Sequence, residues 1–321
     1  MTAPHFQFRP CPICGLPGGD FHAASNRPAE GMTLDMLRPF WAGLDKEKVF
    51  FTYLRCAGCD LAYNPTYFSE PALAGLYADL APNMDMVPTD LVAATQAGYF
   101  DAIAADSELA GDYLEIGPDV GHMVREAARR GTFAHYWLYE PNFAVHDVLA
   151  RAADGRPVSL AGDMNDLSAV PDGSVGLAVM VHVLDHLIEP LAMVRQIRRK
   201  LRPGGMLAIV THNEASMLRR VLGTRWPPFC LQHPQLYTPT TMERLLTRAG
   251  FAGIAISGSS NHFPTDFLAR QAAQAVGLNL AKVPLPAIPL RLRLGNMLTL
   301  ARAPQRAQAA ADKPLRELQS A

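Results

Sequence analysis

Four of the five cysteines form two pairs with the same spacing. Cys11 and Cys14 enclose two residues, and Cys56 and Cys59 repeat this arrangement after an interval of 41 residues. A two-residue spacer lets both sulfurs of a pair face one point, and four thiolates make a closed tetrahedral zinc site. The pattern predicts one structural Zn²⁺ ion. Four unrelated thiols and a redox Cys-x-x-Cys unit are the weaker alternatives, because predicted strands flank the second pair and no βαβ pattern surrounds either.

A second group of polar residues follows a continuously apolar run. His182, Asp185 and His186 would share one face if their segment were helical. Three interpretations stay open. A histidine oriented by the carboxylate could be a catalytic base, the three side chains could bind a metal ion, or the group could be structural, with Asp185 capping the next helix.

A third group surrounds a glycine turn. A short apolar run contains Glu115 and ends in Gly117 and Gly121, directly before a helical pattern. A strand, a glycine turn and a helix present a cofactor to the helix N-terminus. Glu140 ends the next predicted strand, 19 residues after Gly121, where a carboxylate can accept hydrogen bonds from a ribose. Asp163 ends the third strand, at the rim of the same crevice.

Strands and helices alternate from residue 111 onward, which predicts an α/β fold with a doubly wound sheet. The apolar run 175–181 is typical of a central strand that is buried on both faces. Predicted strands at 49–54 and 61–63 flank the second cysteine pair. The predicted organisation is a zinc ribbon at 1–70, a helical connection at 71–110, the α/β domain at 111–303 with lid insertions at 212–239 and 258–295, and a tail at 304–321.

Composition narrows the class of protein. The chain has 321 residues and a net charge of −1, which predicts no general attraction to nucleic acid or to an anionic membrane. No apolar run is long enough to span a bilayer. The N-terminal residues lack the charged start and apolar core of a signal peptide, so the expected compartment is the cytoplasm. The oligomeric state is not fixed by these features.

Six segments in register resemble the class I S-adenosylmethionine-dependent methyltransferases, over about residues 105–303. They are LEIGPDVG, YEP, GDMNDL, PDGSVGLAVMVHVLDHLIEP, RKLRPGGMLAIVTHN and YTPTTMERLLTRAGF. The sequence RCAGCDLAYNP, after the CPIC knuckle, resembles the zinc-binding front end of a subset of these enzymes, some nucleotide-sugar C-methyltransferases among them. The resemblance implies a Rossmann-like seven-stranded sheet whose last strand is antiparallel, with S-adenosylmethionine as the cofactor.

The resemblance also assigns roles to single residues. It places the first motif against the methionine part, Glu140 on the ribose, Asp163 and Met164 beside the adenine, and the segment after the fourth strand next to the sulfonium. The residues of the first motif are Glu115, Gly117, Asp119 and Gly121, and those next to the sulfonium are Val181 and His182.

Asp119 departs from the family pattern, which has a glycine there. Its side chain could crowd the cofactor or form a hydrogen bond with it. Val183 is a second departure, because it replaces a tyrosine of the nucleotide-sugar enzymes.

The leading hypothesis is methyl transfer to oxygen or carbon of a small molecule, such as a sugar nucleotide or a natural-product intermediate. His233 and Tyr237 are predicted substrate-binding residues, because they lie in the segment expected to cover the active site, and Asn213 is a third, because it follows the fifth strand at the edge of the pocket. One alternative is an RNA base methyltransferase whose zinc unit grips RNA, although the neutral charge opposes it. The other is a non-catalytic scaffold that binds S-adenosylmethionine, which Asp119 and Val183 favour.

Overall fold

A computed structural model describes residues 5–41, 47–78, 87–275, 278, 280 and 283–305. The tail predicted at 304–321 therefore lies outside the described residues from 306 onward.

Short strands and turns form the N-terminal part of the chain. Its regular elements, apart from single 3₁₀ turns, are β1 (Phe6–Phe8), β2 (Asp20–Ala23), β3 (Arg27–Pro28), α1 (Leu34–Leu37), β4 (Val49–Phe50), β5 (Tyr53–Arg55), β6 (Ala62–Tyr63) and β7 (Thr66–Phe68). Strand β5 lies between β2 and β6, β4 pairs with β3, and β1 pairs with β7.

The strand predicted over 49–54 is interrupted. The amide of Asn64 donates to the carbonyls of Phe51 and Thr52, at 3.0 and 3.1 Å, and the backbone N–H of Thr52 donates to Glu30. Because side chains take these backbone groups, a continuous strand ladder cannot form at this point.

Two helices, α2 (Glu70–Ala78) and α3 (Thr89–Ala104), lead to the central sheet. The sheet and its surrounding elements are β8 (Ala110–Ile116), α4 (His122–Arg130), β9 (Thr132–Tyr139), α5 (His146–Ala152), β10 (Val158–Ala161), β11 (Val175–Val181), α6 (Pro190–Lys200), β12 (Leu201–His212), α7 (Met217–Leu222), β13 (Gln235–Leu236), α8 (Pro239–Arg248), β14 (Ala252–Gly258), β15 (Asn261–Pro264), α9 (Thr265–Ala275), β16 (Pro289–Leu292) and β17 (Asn296–Arg302).

The seven strands of the central sheet follow the order β10-β9-β8-β11-β12-β17-β14. Strand β17 is antiparallel to both of its neighbours, and the pairs from β10 to β12 are parallel. The predicted Rossmann-like sheet with an antiparallel last strand is confirmed. The strand order reverses between β8 and β11, and ligands bind outside the carboxyl ends of such strands.

Strand β11 shows why the sheet has two cores. Val175, Ala178 and Met180 belong to one cluster of buried side chains, whereas Leu177 and Val179 belong to the cluster on the opposite face. Helices cover both faces, so a continuously apolar strand is stable at this position.

The segment predicted as a first lid joins the N-terminal part to the sheet domain. Strand β13 pairs with β6 and completes a four-stranded sheet of order β13-β6-β5-β2. The second insertion contains the antiparallel pair β15–β16 together with α9. Among the described residues, no helix has the length and apolar character needed to cross a bilayer.

Candidate functional site

The turn after β8 is closed by two glycines in left-handed conformation. Gly117 has φ +67°, and a Cβ there would lie 2.6 Å from Cγ2 of Val183. Gly121 has φ +80°, and its Cβ would lie 3.0 Å from Leu149. The backbone N–H of Gly117 donates to Tyr139 at the end of β9, at 2.8 Å. Both glycines are therefore required by backbone angle and by close packing.

Asp119 adopts a left-handed conformation as well, with φ +49°. Aspartate tolerates this region better than most residues, which explains how it can replace the glycine of the family pattern. The backbone N–H of Asp119 donates to one oxygen of Glu140, at 2.9 Å, and the backbone N–H of Asn142 donates to the other, at 2.8 Å. Glu140 therefore ties the glycine turn to the loop after β9.

Glu115 lies near the carboxyl end of β8 and is buried, with 1% of its surface exposed. Tyr113 donates its hydroxyl to the Glu115 carboxylate at 2.6 Å. Burial raises the pKa of Glu115 to about 8, and the hydrogen bond from Tyr113 only partly opposes this. The carboxyl group is thus substantially protonated at neutral pH.

The loops after β9 and β10 meet at an aromatic ring that the sequence interpretation missed. Phe143 is 73% exposed, and a Cβ on Gly162 would lie 2.6 Å from its ring. Asp163 is exposed beside Gly162 and accepts the backbone N–H of Asn165 at 2.9 Å, while Met164 is half-buried. An aromatic residue three positions after Glu140, in a predicted loop, was the available signal.

A cluster of four histidines and one carboxylate lies at the carboxyl ends of β11 and β12. The residues after β11 form turns rather than a helix, and His182 has φ +54°. Asp185 is 1% exposed, and its Oδ2 lies 2.6 Å from Nδ1 of His212, the last residue of β12. The rings of His182 and His212 are 4.7 Å apart.

His212 was not singled out from the sequence, although it directly follows a strand predicted over 206–211, and the structure extends that strand to His212. The following helix begins at Pro190 with Glu189 at its N-cap position. Asp185 therefore does not cap that helix, and the prediction that it would do so, made in the structural interpretation of this group, is wrong.

His186 and His233 form the second half of the cluster. Their Nε2 atoms lie 3.2 Å apart. The hydroxyl of Tyr77 is 3.1 Å from His186 Nδ1, and His233 Nδ1 is 2.7 Å from the carbonyl oxygen of Pro228. The ring of His233 is also 5.0 Å from that of His212, so the two halves are in contact.

The electrostatics of the cluster follow from its burial. Desolvation lowers the pKa of His182 and of His186 to about 3 and also lowers that of His212. Burial opposes the charge of Asp185, but the hydrogen bond from His212 and the nearby histidines hold its pKa well below the usual range. Desolvation likewise opposes the charge of His233, yet the Cys230 sulfur beside it raises the pKa of His233 to about 9.

Asn213 and Tyr237, the other two predicted substrate-binding residues, form contacts with the backbone of neighbouring segments. Asn213 accepts the backbone N–H of Ala215 at 2.9 Å and forms an isolated parallel bridge with Tyr237. Tyr237 is fully buried, and its hydroxyl donates to the carbonyl of Leu184 at 3.5 Å. The structure therefore brings Asn213 and Tyr237 beside the histidine cluster, with the Tyr237 ring beneath the turn that carries Asp185.

The four paired cysteines converge at the N-terminal part. The sulfurs of Cys11 and Cys59 lie 3.4 Å apart, and those of Cys14 and Cys56 lie 3.3 Å apart. All four sulfurs lie within 4.8 Å of one another. The hydrogen bond from Cys59 lowers the pKa of Cys11 to about 5, while the same bond raises that of Cys59. This donor set fits a tetrahedral thiolate site.

Comparison with known proteins places this geometry in a family. A family model described as a methyltransferase domain matches residues 93–256, just over half of the chain. The chain belongs to this methyltransferase family. It is an S-adenosylmethionine-dependent methyltransferase, and its switch point between β8 and β11 is where such a fold holds its ligand. No protein of curated function matched the methyltransferase in sequence.

Several solved structures are similar to this chain at low sequence identity. A chain from a complex of a methyltransferase with a methyltransferase activator, from Haloferax volcanii, is 15% identical with a TM-score of 0.51, over 68% of this chain and 93% of that one. The YcgJ protein of Bacillus subtilis is 15% identical with a TM-score of 0.48, over 65% and 98%. A methyltransferase of Bacillus halodurans is 16% identical with a TM-score of 0.47, over 66% and 100%.

The glycine turn gives a first prediction. Gly117→Ala should destabilise the methyltransferase by about 2–4 kcal/mol, because it combines a left-handed backbone with a methyl group against Val183. Gly155→Ala is the matched control, since Gly155 has φ +74° but nothing within 4 Å, and it should cost only about 1–2 kcal/mol. Urea unfolding of both variants measures the difference. Equal losses would show that the contact with Val183 contributes nothing.

Glu115 gives a second prediction. Its raised pKa means that the folded state holds a proton that the unfolded state releases above pH 4.5, so wild-type stability falls as pH rises toward about 8. Glu115→Gln removes this linkage. The unfolding free energy of wild type relative to Glu115→Gln should therefore decrease by about 2–4 kcal/mol between pH 5 and pH 8. A pH-independent difference in denaturant titrations would contradict the burial of a protonated carboxyl group.

Proposed function

We propose that the methyltransferase transfers a methyl group to oxygen or carbon of a small molecule, with His212 as the base that takes the acceptor's proton. The Asp185–His212 contact of 2.6 Å supports this role more than any other observation. The carboxylate oxygen can only accept, so Nδ1 carries the hydrogen and Nε2 is left as the basic nitrogen. His186 and His182, the bases considered from the sequence, lack a comparable carboxylate contact in the described residues.

S-adenosylmethionine is proposed to lie across the carboxyl ends of β8, β9 and β10. Each oxygen of Glu140 accepts one backbone N–H and keeps a lone pair for a ribose hydroxyl. Phe143, Asp163 and Met164 surround the place expected for the adenine. The first motif, with Glu115, then faces the methionine part, and Val181 with His182 lies next to the sulfonium.

When bound, S-adenosylmethionine would supply a methyl group from its positively charged sulfur, which would keep the bonding electron pair as the acceptor atom bonds to the methyl carbon. The protein must hold the acceptor in line and exclude water. A hydroxyl or carbon acid also has to lose a proton, which Nε2 of His212 receives. His182, which follows β11, and His233, from the inserted segment, lie next to the His212 ring, at 4.7 and 5.0 Å between ring centres.

A sugar nucleotide or natural-product intermediate is the proposed acceptor class. The net charge of −1 does not favour RNA as a partner, because RNA binding depends on neutralising phosphates. Trp226 and Phe229, which are almost fully buried, hold the inserted segment against the N-terminal part beside His212. This enclosure suits a small acceptor.

We also propose that Cys11, Cys14, Cys56 and Cys59 hold one structural zinc ion. The convergent sulfurs support it, and four thiolates leave no position open for a substrate. The ion would stabilise a part of the chain whose strands have only two to four residues.

The function is tested with radiolabelled S-adenosylmethionine and a panel of nucleotide-linked sugars and of phenolic or enolic natural-product intermediates. Wild type should label at least one acceptor. His212→Gln should lower kcat by about 10²–10⁴-fold, because a general base is lost, while calorimetry finds the cofactor affinity nearly unchanged. His135→Gln, in a histidine of β9 that contacts Ser159, serves as the matched control and should keep full activity.

Two outcomes would contradict this proposal. Tight cofactor binding with no labelling of any acceptor would favour the non-catalytic scaffold. Labelling that survives in His212→Gln at the wild-type rate would remove the base from His212.

The zinc proposal is tested by modifying the thiols with an organomercurial and measuring the zinc released. Wild type should release one zinc ion per chain, and Cys14→Ser combined with Cys56→Ser should release none, because two of four thiolates are lost. Cys230→Ser is the control and should release the same amount as wild type, since Cys230 lies apart from this group, beside His233. A folded wild type without thiol-bound zinc would refute the site.

A further inference from the structure

The imidazole rings of His186 and His233 face each other through their Nε2 atoms. Their Nε2 atoms lie 3.2 Å apart, and their ring planes are almost perpendicular, at 87°. His233 Nδ1 is 2.7 Å from the Pro228 carbonyl oxygen, which can only accept. Nδ1 therefore carries the hydrogen of the neutral ring, and Nε2 carries the lone pair.

His186 is oriented in the same way. Its Nδ1 lies 3.1 Å from the hydroxyl of Tyr77, to which it can donate. With both hydrogens on Nδ1, the two Nε2 lone pairs point at one another, which is unfavourable unless a proton or a cation lies between them. An imidazole that binds a metal through Nε2 commonly donates Nδ1–H to a carbonyl or another oxygen, and both rings have such an oxygen beside Nδ1.

Asp185 supplies a negative charge at the same place. Its carboxylate lies with the two imidazoles in a group whose ligand atoms are all within 4.8 Å of one another. Oδ2 accepts a hydrogen bond from His212, but Oδ1 is buried and has no hydrogen-bond partner among the described residues. A buried carboxylate oxygen without a partner is costly, and a bound cation would satisfy it.

We propose that Asp185, His186 and His233 form a binding site for one divalent first-row transition metal ion. Two imidazoles and one carboxylate suit zinc, iron or cobalt ions rather than magnesium or calcium, which prefer oxygen ligands. Three protein ligands leave coordination positions open, as in catalytic rather than structural metal sites. The site is separate from the four cysteines, and its occupancy does not depend on the proposed methyl transfer.

A second set of the same composition competes for the role. His182 and His212 also form a group with Asp185 within 4.8 Å. The 2.6 Å contact of His212 Nδ1 with Oδ2 is a hydrogen bond, which uses that nitrogen as a donor and leaves it unable to bind a metal. The free Oδ1 and the facing Nε2 atoms favour the first set.

The surroundings hold these ligands in place. Tyr53 donates its hydroxyl to the backbone carbonyl of His233, and Tyr67 donates to that of Leu231 at 2.8 Å. Asp185 and His233 are 1% and 6% exposed, whereas His186 is half-buried. The ligand set is therefore largely built before an ion binds, with one side less buried.

Cobalt titration of the full-length protein, stripped of metal under reducing conditions, tests the site. Cobalt bound by four thiolates gives intense sulfur-to-metal charge-transfer absorption, whereas an imidazole–carboxylate site does not. Wild type should bind two Co²⁺ ions per chain, of which only one produces these bands. His186→Gln and Asp185→Asn should weaken the second ion by about 100-fold or more and leave the thiolate bands unchanged.

Two variants serve as controls. His182→Gln removes a ligand of the competing set and should still bind two ions, and Cys14→Ser combined with Cys56→Ser should lose only the ion with charge-transfer bands. Circular dichroism and urea unfolding establish that each variant is folded. If folded wild type binds a single ion, and that ion produces the thiolate bands, the proposal is overturned. A proton shared between the two imidazoles would then explain their contact. A second ion that is lost in His182→Gln but retained in His186→Gln would also overturn it.

Discussion

The arrangement of the site depends on one buried carboxylate. Asp185 is 1% exposed, and a charge at such a position is stable only with close partners. The partners come from three separate places: the turn that carries Asp185, the end of β12, and the segment before β13. Parallel pairing of β11 with β12 brings His212 to Asp185, since the carboxyl ends of both strands reach the same edge of the sheet.

The N-terminal part of the chain holds the segment before β13, which carries His233, in position. Strand β13 is hydrogen-bonded to β6, and the backbone N–H of Asn64 donates to Pro234 at 2.9 Å, next to His233. Arg9 is almost fully buried and donates to the side chain of Gln235 at 2.6 Å and to the backbone carbonyl of Ile188. The N-terminal part therefore forms one wall of the site, although it precedes the sheet domain by many residues.

Much of the sheet could be predicted from the sequence, because local patterns determine it. The apolar run of β11 and the turn between Gly117 and Gly121 reflect burial and backbone angle, which single residues reveal. The break between β4 and β5 was not predictable, since it results from Asn64, which is distant in sequence. The contact between His186 and His233 was hidden for a similar reason: it exists only when the inserted segment docks.

Asp119 shows how a departure from a family pattern can be explained once the backbone is known. Its φ of +49° is tolerated by aspartate, and the function of its backbone N–H in contacting Glu140 does not require glycine. Asp119 therefore supports the hypothesis of a non-catalytic scaffold less than the sequence alone suggested. The position of His212, which follows directly from strand pairing, supports an active one.

A chain of contacts connects the cysteines with the proposed base. Arg55, the neighbour of Cys56, donates to Glu214 at 3.0 Å, and His22 lies 2.9 Å from the same carboxylate. Glu214 is only two residues after His212, and its backbone N–H donates to Tyr237 at 2.8 Å. Because burial makes this ion pair less screened than an exposed one, displacement of the knuckle around Cys56 would take Arg55 away from the buried carboxylate and leave Arg219, at 3.4 Å, as its partner. The ion pair of Glu214 with Arg55 therefore holds the segment that follows His212 against the N-terminal part of the chain.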